Sequence, residues 1–315
     1  MKVVALAGGV GGAKLVDGIS RLEPAPELTV IVNTGDDFSL FGLWISPDLD
    51  TVCYNLAGLN NQETGWGRDR EGWETFRAIQ TLGGPDWFKL GNKDLATHLE
   101  RTRRLGEGQP LSQITAEFCK SWGVPGTVIP MSDDRVPTLV ETDQGVLAFQ
   151  DYFVKLKAEP EVKGFLFHQV EKSAPAPGVL EAIREADWIL ICPSNPWVSI
   201  DPILAVPGIR AALESKIVLG VSPIIGGEAV KGPAAKMYRE MGIQPTAGAV
   251  AAHYGKLLDG FVIDEQDSAL TQEILFDWDG SLELFSRDIW MKTRAERITV
   301  AEEIVAIGRK LVKEV

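Results

Sequence analysis

The sequence predicts an α/β protein: a Rossmann-like, doubly wound, mostly parallel sheet that carries a helical insertion. Three observations predict it. The first is a short apolar run, residues 1–7, that passes directly into Gly8-Gly9-Val10-Gly11-Gly12 and then a helical pattern. The second is a set of continuous apolar runs (28–32, 187–192, 216–221) alternating with helical patterns near both ends of the chain. Runs of that kind are expected of strands buried on both faces. The third is the place of the polar segments 8–12, 194–199 and 222–232, each directly after such a run. In an open α/β sheet that edge is where ligands bind.

Composition bounds the rest. A chain of 315 residues with 45% hydrophobic content can bury a large core, and it reads as one α/β unit over 1–315. No apolar run reaches the length of a membrane span, and no cleavage-site pattern follows the first strand, so neither an anchor nor a signal peptide is expected. The three cysteines (Cys53, Cys119, Cys192) and three histidines (His98, His168, His253) are scattered, without zinc or disulfide spacing. That fits a reducing cytoplasm. The net charge of −13 argues against a broad nucleic-acid surface and speaks chiefly for solubility.

The elements follow in order. A helix is predicted over 13–22, ended by Glu23-Pro24-Ala25-Pro26. The β-branched run 28–32 completes a right-handed strand–helix–strand unit and empties into Asn33-Thr34-Gly35-Asp36-Asp37. Asp50 and Thr51 read as the N-cap of a helix through 57. Residues 62–123 differ, with Trp66, Trp73, Trp87 and Trp122, many charges, and helical stretches at 71–82, 94–105 and 110–122. They predict a mainly helical insertion packed over the sheet. Strand patterns return at 127–131, 138–142 and 146–155, the last two joined by a turn at Asp143-Gln144-Gly145. Helix 179–186, strands 187–192 and 216–221, helices 233–241 and 247–257, strand 260–263 and an amphipathic helix 299–312 complete the chain.

Glycines let a backbone approach an anion, and a helix N-terminus turns free N–H groups toward it. Gly9, Gly11, Gly12 and Lys14 are the candidates for this work, with a plain tight turn as the alternative. The loop matches neither common phosphate signature. As a dinucleotide fingerprint it has Lys14 at the third glycine, and as a Walker A loop it has Ala13 and Leu15 where Gly and Ser/Thr belong. Gly226-Gly227 with Lys231 offers a second loop of the same kind, and Ser194 and Asn195 suit hydrogen bonds to a nucleotide. No G-x-S-x-G elbow surrounds Ser194, which argues against a hydrolase nucleophile. Asp36, Asp37, Asp48 and Asp50 form an acidic cluster whose hard oxygens beside a phosphate loop suit Mg²⁺; turn and helix capping is the structural alternative. Lys89 sits between aromatics and suits a ring or a phosphate, whereas Trp66, Trp73 and Trp87 are expected to pack. No histidine is assigned to catalysis.

Residues 7–14, Asn33-Thr34-Gly35-Asp36-Asp37, Ser194-Asn195-Pro196 with residues 199–204, and residues 222–227 with 230–233 occur in that order. Together they resemble the 2-phospho-L-lactate transferase family of coenzyme F420 biosynthesis, over nearly the whole chain. The resemblance implies a Mg²⁺-dependent transfer of a phosphorylated three-carbon acid, 2-phospho-L-lactate or phosphoenolpyruvate, from its guanosine diphosphate ester. The acceptor would be the ribityl hydroxyl of the deazaflavin 7,8-didemethyl-8-hydroxy-5-deazariboflavin, with GMP leaving, and the enzyme a homodimer. By the same likeness Asp50 matches the deazaflavin-binding aspartate. Lys89 matches the basic residue of a Trp-Phe-basic-Leu-Gly segment, where lysine keeps the charge of arginine but not its bidentate fork. Asp36, Asp37 and Asp50 become the candidate Mg²⁺ ligands, and Asp50 and Asp37 the candidates for orienting the attacking hydroxyl. A distantly related family of non-catalytic nucleotide-sugar-binding regulators shares the glycine loop and the Asn-Thr-Gly-Asp-Asp segment, and is the alternative reading. An NAD-dependent oxidoreductase is disfavoured by Lys14. Nothing in the sequence separates phospholactyl, phosphoenolpyruvyl and phosphoglyceryl donors.

Overall fold

The computed structural model describes residues 1–276, 278 and 281–314. Its strands, in chain order, are β1 (Lys2–Ala7), β2 (Glu27–Val32), β3 (Phe38–Leu40), β4 (Leu43–Ile45), β5 (Thr127–Pro130), β6 (Thr138–Thr142) and β7 (Gly145–Ala148). They continue as β8 (Val162–Phe167), β9 (Trp188–Ile191), β10 (Val218–Val221), β11 (Ile224–Ile225), β12 (Glu228–Ala229), β13 (Gly260–Asp264) and β14 (Glu283–Arg287). A 7-stranded sheet has the order β14-β13-β10-β9-β1-β2-β5, and every neighbouring pair in it runs parallel. The doubly wound α/β sheet expected from the sequence is present. From β1 the chain builds outward through β2 to β5, then returns to β9 and builds outward to β14 on the other side. Strand order therefore reverses between β1 and β9, and a crevice opens beyond their carboxyl ends.

The helices are α1 (Gly9–Ser20), α2 (Pro47–Leu56), α3 (Glu74–Thr81), α4 (Asn92–Gly106), α5 (Leu111–Trp122) and α6 (Val179–Glu185). After them come α7 (Asp201–Ala205), α8 (Ile209–Leu213), α9 (Ala234–Glu240), α10 (Ala247–Tyr254), α11 (Thr271–Phe276) and α12 (Arg294–Glu314). One face of the sheet, with Val3, Ala5 and Val30, packs on Leu15, Ile19, Val52 and Ile304 of α1, α2 and α12. The opposite face, with Val4, Leu6 and Ile31, packs on Ile183, Ile203, Met237 and Val250 of α6, α7, α9 and α10. Alternate residues of one strand thus enter different cores, which is why these strands are apolar throughout. Each fully buried aliphatic side chain contributes about 1.5–3 kcal/mol. Among the described residues no helix is long and apolar enough to cross a membrane.

Between α2 and β5 lie α3, α4 and α5, in the stretch where the sequence predicts a helical insertion. Elsewhere the structure departs from the expected elements in ways that shape the crevice. The helix expected to start with a cap at Asp50 begins at Pro47. Proline presets φ for a first helical turn and lacks the N–H that would go unpaired there. Asp48 and Asp50 consequently both sit in that first turn, where the helix end favours a carboxylate. The strand expected over 146–155 stops at Ala148, and the chain winds into a π-helical turn at Asp151–Lys155. A second such turn, Pro196–Ile200, follows β9. Wide turns of this kind are frequent at functional sites.

Two strands carry little sequence signal. β14 is partly exposed at every residue, so it shows no burial contrast, and β8 is interrupted by Lys163 and Gly164. The expected hairpin is present as β6 and β7, with β8 on its other edge. The closing helix starts at Arg294, earlier than expected, because Thr293 and Glu296 form a capping box. The Glu296 carboxylate accepts the Thr293 N–H at 2.7 Å, and the Thr293 hydroxyl accepts the Glu296 N–H at 3.2 Å.

Candidate active site

β1 ends at Ala7 and α1 begins at Gly9, so a helix N-terminus opens directly into the crevice. Gly9 has φ +63°, a left-handed conformation that glycine adopts without steric penalty. A Cβ on Gly11 would collide with the carbonyl oxygen of Pro193, in the loop after β9. The glycines therefore allow two strand-end loops to lie against each other. Lys14, one turn into α1, donates to the Met291 carbonyl at 2.7 Å, and Lys231 donates to the Thr64 carbonyl. Burial, reinforced by the positive charges of Arg297 and Lys231, pushes the Lys14 ammonium down to about 8. Burial lowers Lys231 as well.

The carboxylates lie alongside. Asn33 donates to Asp48 Oδ2 at 2.9 Å and to the Val198 carbonyl at 3.1 Å, while its own carbonyl accepts the Gly35 N–H at 2.8 Å. This knot brings the turn carrying Asp36 and Asp37 against the first turn of α2. Asp36 Oδ2 accepts from Gln150 at 3.2 Å, and Asp37 Oδ2 accepts from Ser46 Oγ at 2.7 Å and Trp44 Nε1 at 3.0 Å. The other oxygen of each is buried without a hydrogen-bond partner. Burial, with the charges of Asp48 and Asp37, holds Asp36 well above the usual carboxylate range. Burial also raises Asp37 to about 8, against the Ser46 hydrogen bond and Arg101, and raises Asp48 to about 6, against Asn33 and the Gly9 backbone. Desolvated carboxylates with orphan oxygens beside a phosphate-type loop fit a hard divalent cation.

Asp50 is different. Both of its oxygens are taken by Arg101, Oδ2 at 3.0 Å from Nη1 and Oδ1 by Nη2. Asp50, Asp94 and His98 bring one ligand atom each within 4.8 Å of one another. A metal ion there would meet the Arg101 guanidinium, which touches both Asp50 and His98.

Loop, lysines and carboxylates share one cavity of about 700 Å³. Part of its lining is aromatic, formed by Trp66, Trp87, Phe88, Phe149 and Phe153. Phe38 supports that wall, packing edge-on against Phe88 with centroids 4.8 Å apart and against Trp87 at 5.8 Å. An aromatic slot with a few convergent polar groups suits a planar ring. The polar groups here are Tyr54, Asp94 and His98, with exposed Lys89 at the rim.

Of the residues singled out in the sequence, Gly9, Gly11, Lys14, Asp36, Asp50, Lys89, Ser194, Asn195 and Lys231 line this cavity. Others stand back from it. Gly12 lies behind the loop against Ser194 and Ala7, and Asp37 is held by Trp44 and Ser46. Gly226 and Gly227 form the turn of the β11–β12 ribbon, with the Gly226 N–H bonded to Asp267 at 3.1 Å, while Val230, Lys231 and Pro233 reach the cavity. Trp66 and Trp87, expected to pack, line the cavity, and so does His98, which sequence reasoning left without a role. Asp94, Phe149, Gln150 and Phe153 also line it unforeseen. The i, i+4, i+7 spacing of Asp94, His98 and Arg101 on one helix face was the available signal for α4. No local pattern marks Gln150, which precedes the π-turn, or Phe153, which lies within it.

The family model described as 2-phospho-L-lactate transferase CofD matches residues 3–302. A phosphoenolpyruvate transferase of Streptomyces griseus subsp. griseus is 49% identical over 282 residues, covering 87% of this chain and 89% of its own length. The phosphoenolpyruvate transferase of Streptomyces coelicolor is 47% identical over 276 residues (85% and 86% covered), and that of Mycobacterium sp. (strain KMS) 42% over 296 residues (85% and 89%). The crystal structure of a UPF0052-family protein from Bacillus halodurans superposes with a TM-score of 0.63 at 18% identity, covering 96% of this chain and 98% of that one. At that identity the likeness is one of fold.

Proposed function

The chain belongs to the 2-phospho-L-lactate transferase CofD family, and on that premise we propose that it transfers phosphoenolpyruvate from its guanosine diphosphate ester to the ribityl hydroxyl of the deazaflavin, releasing GMP. One observation carries the reading. A single cavity joins a helix N-terminus with two lysines, a set of desolvated carboxylates and an aromatic slot. The names borne by the relatives favour phosphoenolpyruvate over phospholactate as the acid.

In this reading the diphosphate rests on the N-terminal amides of α1, with Lys14 and Lys231 supplying positive charge. Ser194 and Asn195 receive the nucleotide. The deazaflavin ring enters between Trp87, Phe88 and Phe149, with Lys89 at the rim, and its ribityl hydroxyl meets Asp50. The hydroxyl oxygen forms a bond to the phosphorus bearing the acid, the bond from that phosphorus to the GMP oxygen breaks, and the hydroxyl proton passes to a cavity carboxylate. Asp50 orients the hydroxyl, and Asp37 stands behind the cavity wall, hydrogen-bonded to Ser46 and Trp44. Positioning and charge neutralisation carry most of such a transfer. Asp36 and Asp48 are the residues that would hold Mg²⁺, which when bound neutralises phosphate oxygens.

The test is to incubate the protein with the deazaflavin, Mg²⁺ and each of the three guanylylated donors, following product mass and GMP release. Turnover, fastest with the phosphoenolpyruvyl donor, is expected. No turnover with any donor, together with tight sugar-nucleotide binding, overturns the reading in favour of a non-catalytic regulator.

A further inference from the structure

α4 carries Asp94, His98 and Arg101 on one face, and this face meets Asp50 of α2. Arg101 is 2% exposed and does not line the cavity, whereas Asp50, Tyr54, Asp94 and His98 all do. Its guanidinium grips Asp50 with two nitrogens, and the Nη1 that reaches Asp50 also lies 3.3 Å from His98 Nδ1. Arginine only donates, so Nδ1 is the accepting nitrogen of His98. The proton is then on Nε2, 3.6 Å from Asp94 Oδ1, the same oxygen that accepts from the Tyr54 hydroxyl at 2.8 Å. One buried side chain therefore sets a carboxylate and a ring in the cavity wall. Stability alone is a weak reason for such a pair, because desolvation offsets most of its attraction. The two-point grip instead fixes direction.

We propose that Arg101 is a positioning residue for the transfer. From the insertion it fixes the direction of the Asp50 carboxylate, so the acceptor end of the site is assembled only when α4 is docked on α2. The proposal rests on Asp50 being the group that meets the acceptor hydroxyl.

The test is steady-state kinetics, with acceptor and donor varied separately, for the wild type, Arg101→Lys, Asp50→Asn and the double variant Asp50→Asn/Arg101→Met. Lysine keeps the charge but loses the fork. Arg101→Lys should lower acceptor kcat/KM by about 100-fold, the effect of an ångström of misplacement, and leave the donor KM within about twofold. Because the action runs through Asp50, adding Arg101→Met to Asp50→Asn should bring no further loss. The double variant leaves no buried charge of this pair unpaired, so it stays informative where Arg101→Lys does not fold. Unchanged acceptor kinetics in Arg101→Lys, a donor KM raised well beyond twofold, or a further loss in the double variant each overturn the proposal. A wild-type protein inactive with every donor overturns the transferase reading instead.

Discussion

The side-chain oxygen of Ser194 accepts the Gly8 N–H at 3.2 Å and donates to the Gly8 carbonyl at 2.7 Å, joining two residues 186 positions apart. One hydroxyl thus satisfies both backbone groups of the first glycine in the loop and ties that loop to the turn after β9. Ser194→Ala leaves both groups unpaired in a buried place, at a cost of about 1–3 kcal/mol. Urea denaturation should show a loss of that size, together with weaker binding of the guanylylated donor. Unchanged stability would count against the bridge.

Gly11→Ala should damage the same junction from the other side. Its Cβ has no room beside the Pro193 carbonyl, and overpacking of this kind costs about 1–3 kcal/mol. A lowered melting temperature with impaired donor binding is the expected result, read by thermal unfolding and calorimetry.

Lys14 should make donor binding depend on pH. Burial brings it to about 8, while an anionic diphosphate favours its charged form. Below pH 8 the ammonium is already protonated and binding takes up no proton there. Above pH 8 binding must take one up, so affinity falls as pH rises toward the ordinary lysine value of about 10.4. Calorimetry in buffers of different ionisation heat should detect that uptake near pH 9 and not near pH 7. Lys14→Met should abolish it and weaken binding by roughly tenfold to a hundredfold, as expected for loss of a charged hydrogen bond.

The carboxylates should link metal binding to stability. Asp48 and Asp37 titrate near 6 and near 8 in the folded protein, above the ordinary value of about 3.9. The native state then binds more protons than the unfolded chain, so the metal-free protein loses stability as pH rises from about 4 through 6 to 8. A divalent cation held by Asp36 and Asp48 needs those carboxylates ionised and opposes that loss. Thermal midpoints should fall between acidic and mildly alkaline pH, and millimolar Mg²⁺ should raise them more near pH 8 than near pH 5. Midpoints indifferent to Mg²⁺ at both values would remove the cation from Asp36 and Asp48.

Asp50→Asn should lower turnover by about 100-fold or more while the circular dichroism spectrum stays native, since the amide is isosteric but orients a hydroxyl differently. Near-normal GMP release in that variant would sink the role given to Asp50.

By itself the sequence determined the sheet and the edge on which its ligand loops converge. β1, β2, β9 and β10 are apolar at nearly every position because both of their faces are buried, a signal carried by adjacent residues alone. Gly9, Gly11, Lys14, Ser194 and Asn195 could be placed together because they follow such strands. Only the tertiary structure decided how the polar groups are partnered. It pairs Asp50 with an arginine 51 positions on, gives Asp36 a glutamine 114 positions on, and turns Gly226-Gly227 into a ribbon bend while Lys231 reaches the cavity. Periodicity reports which face of an element is buried. It does not report which charge lies across the interface, because that depends on how separate elements dock.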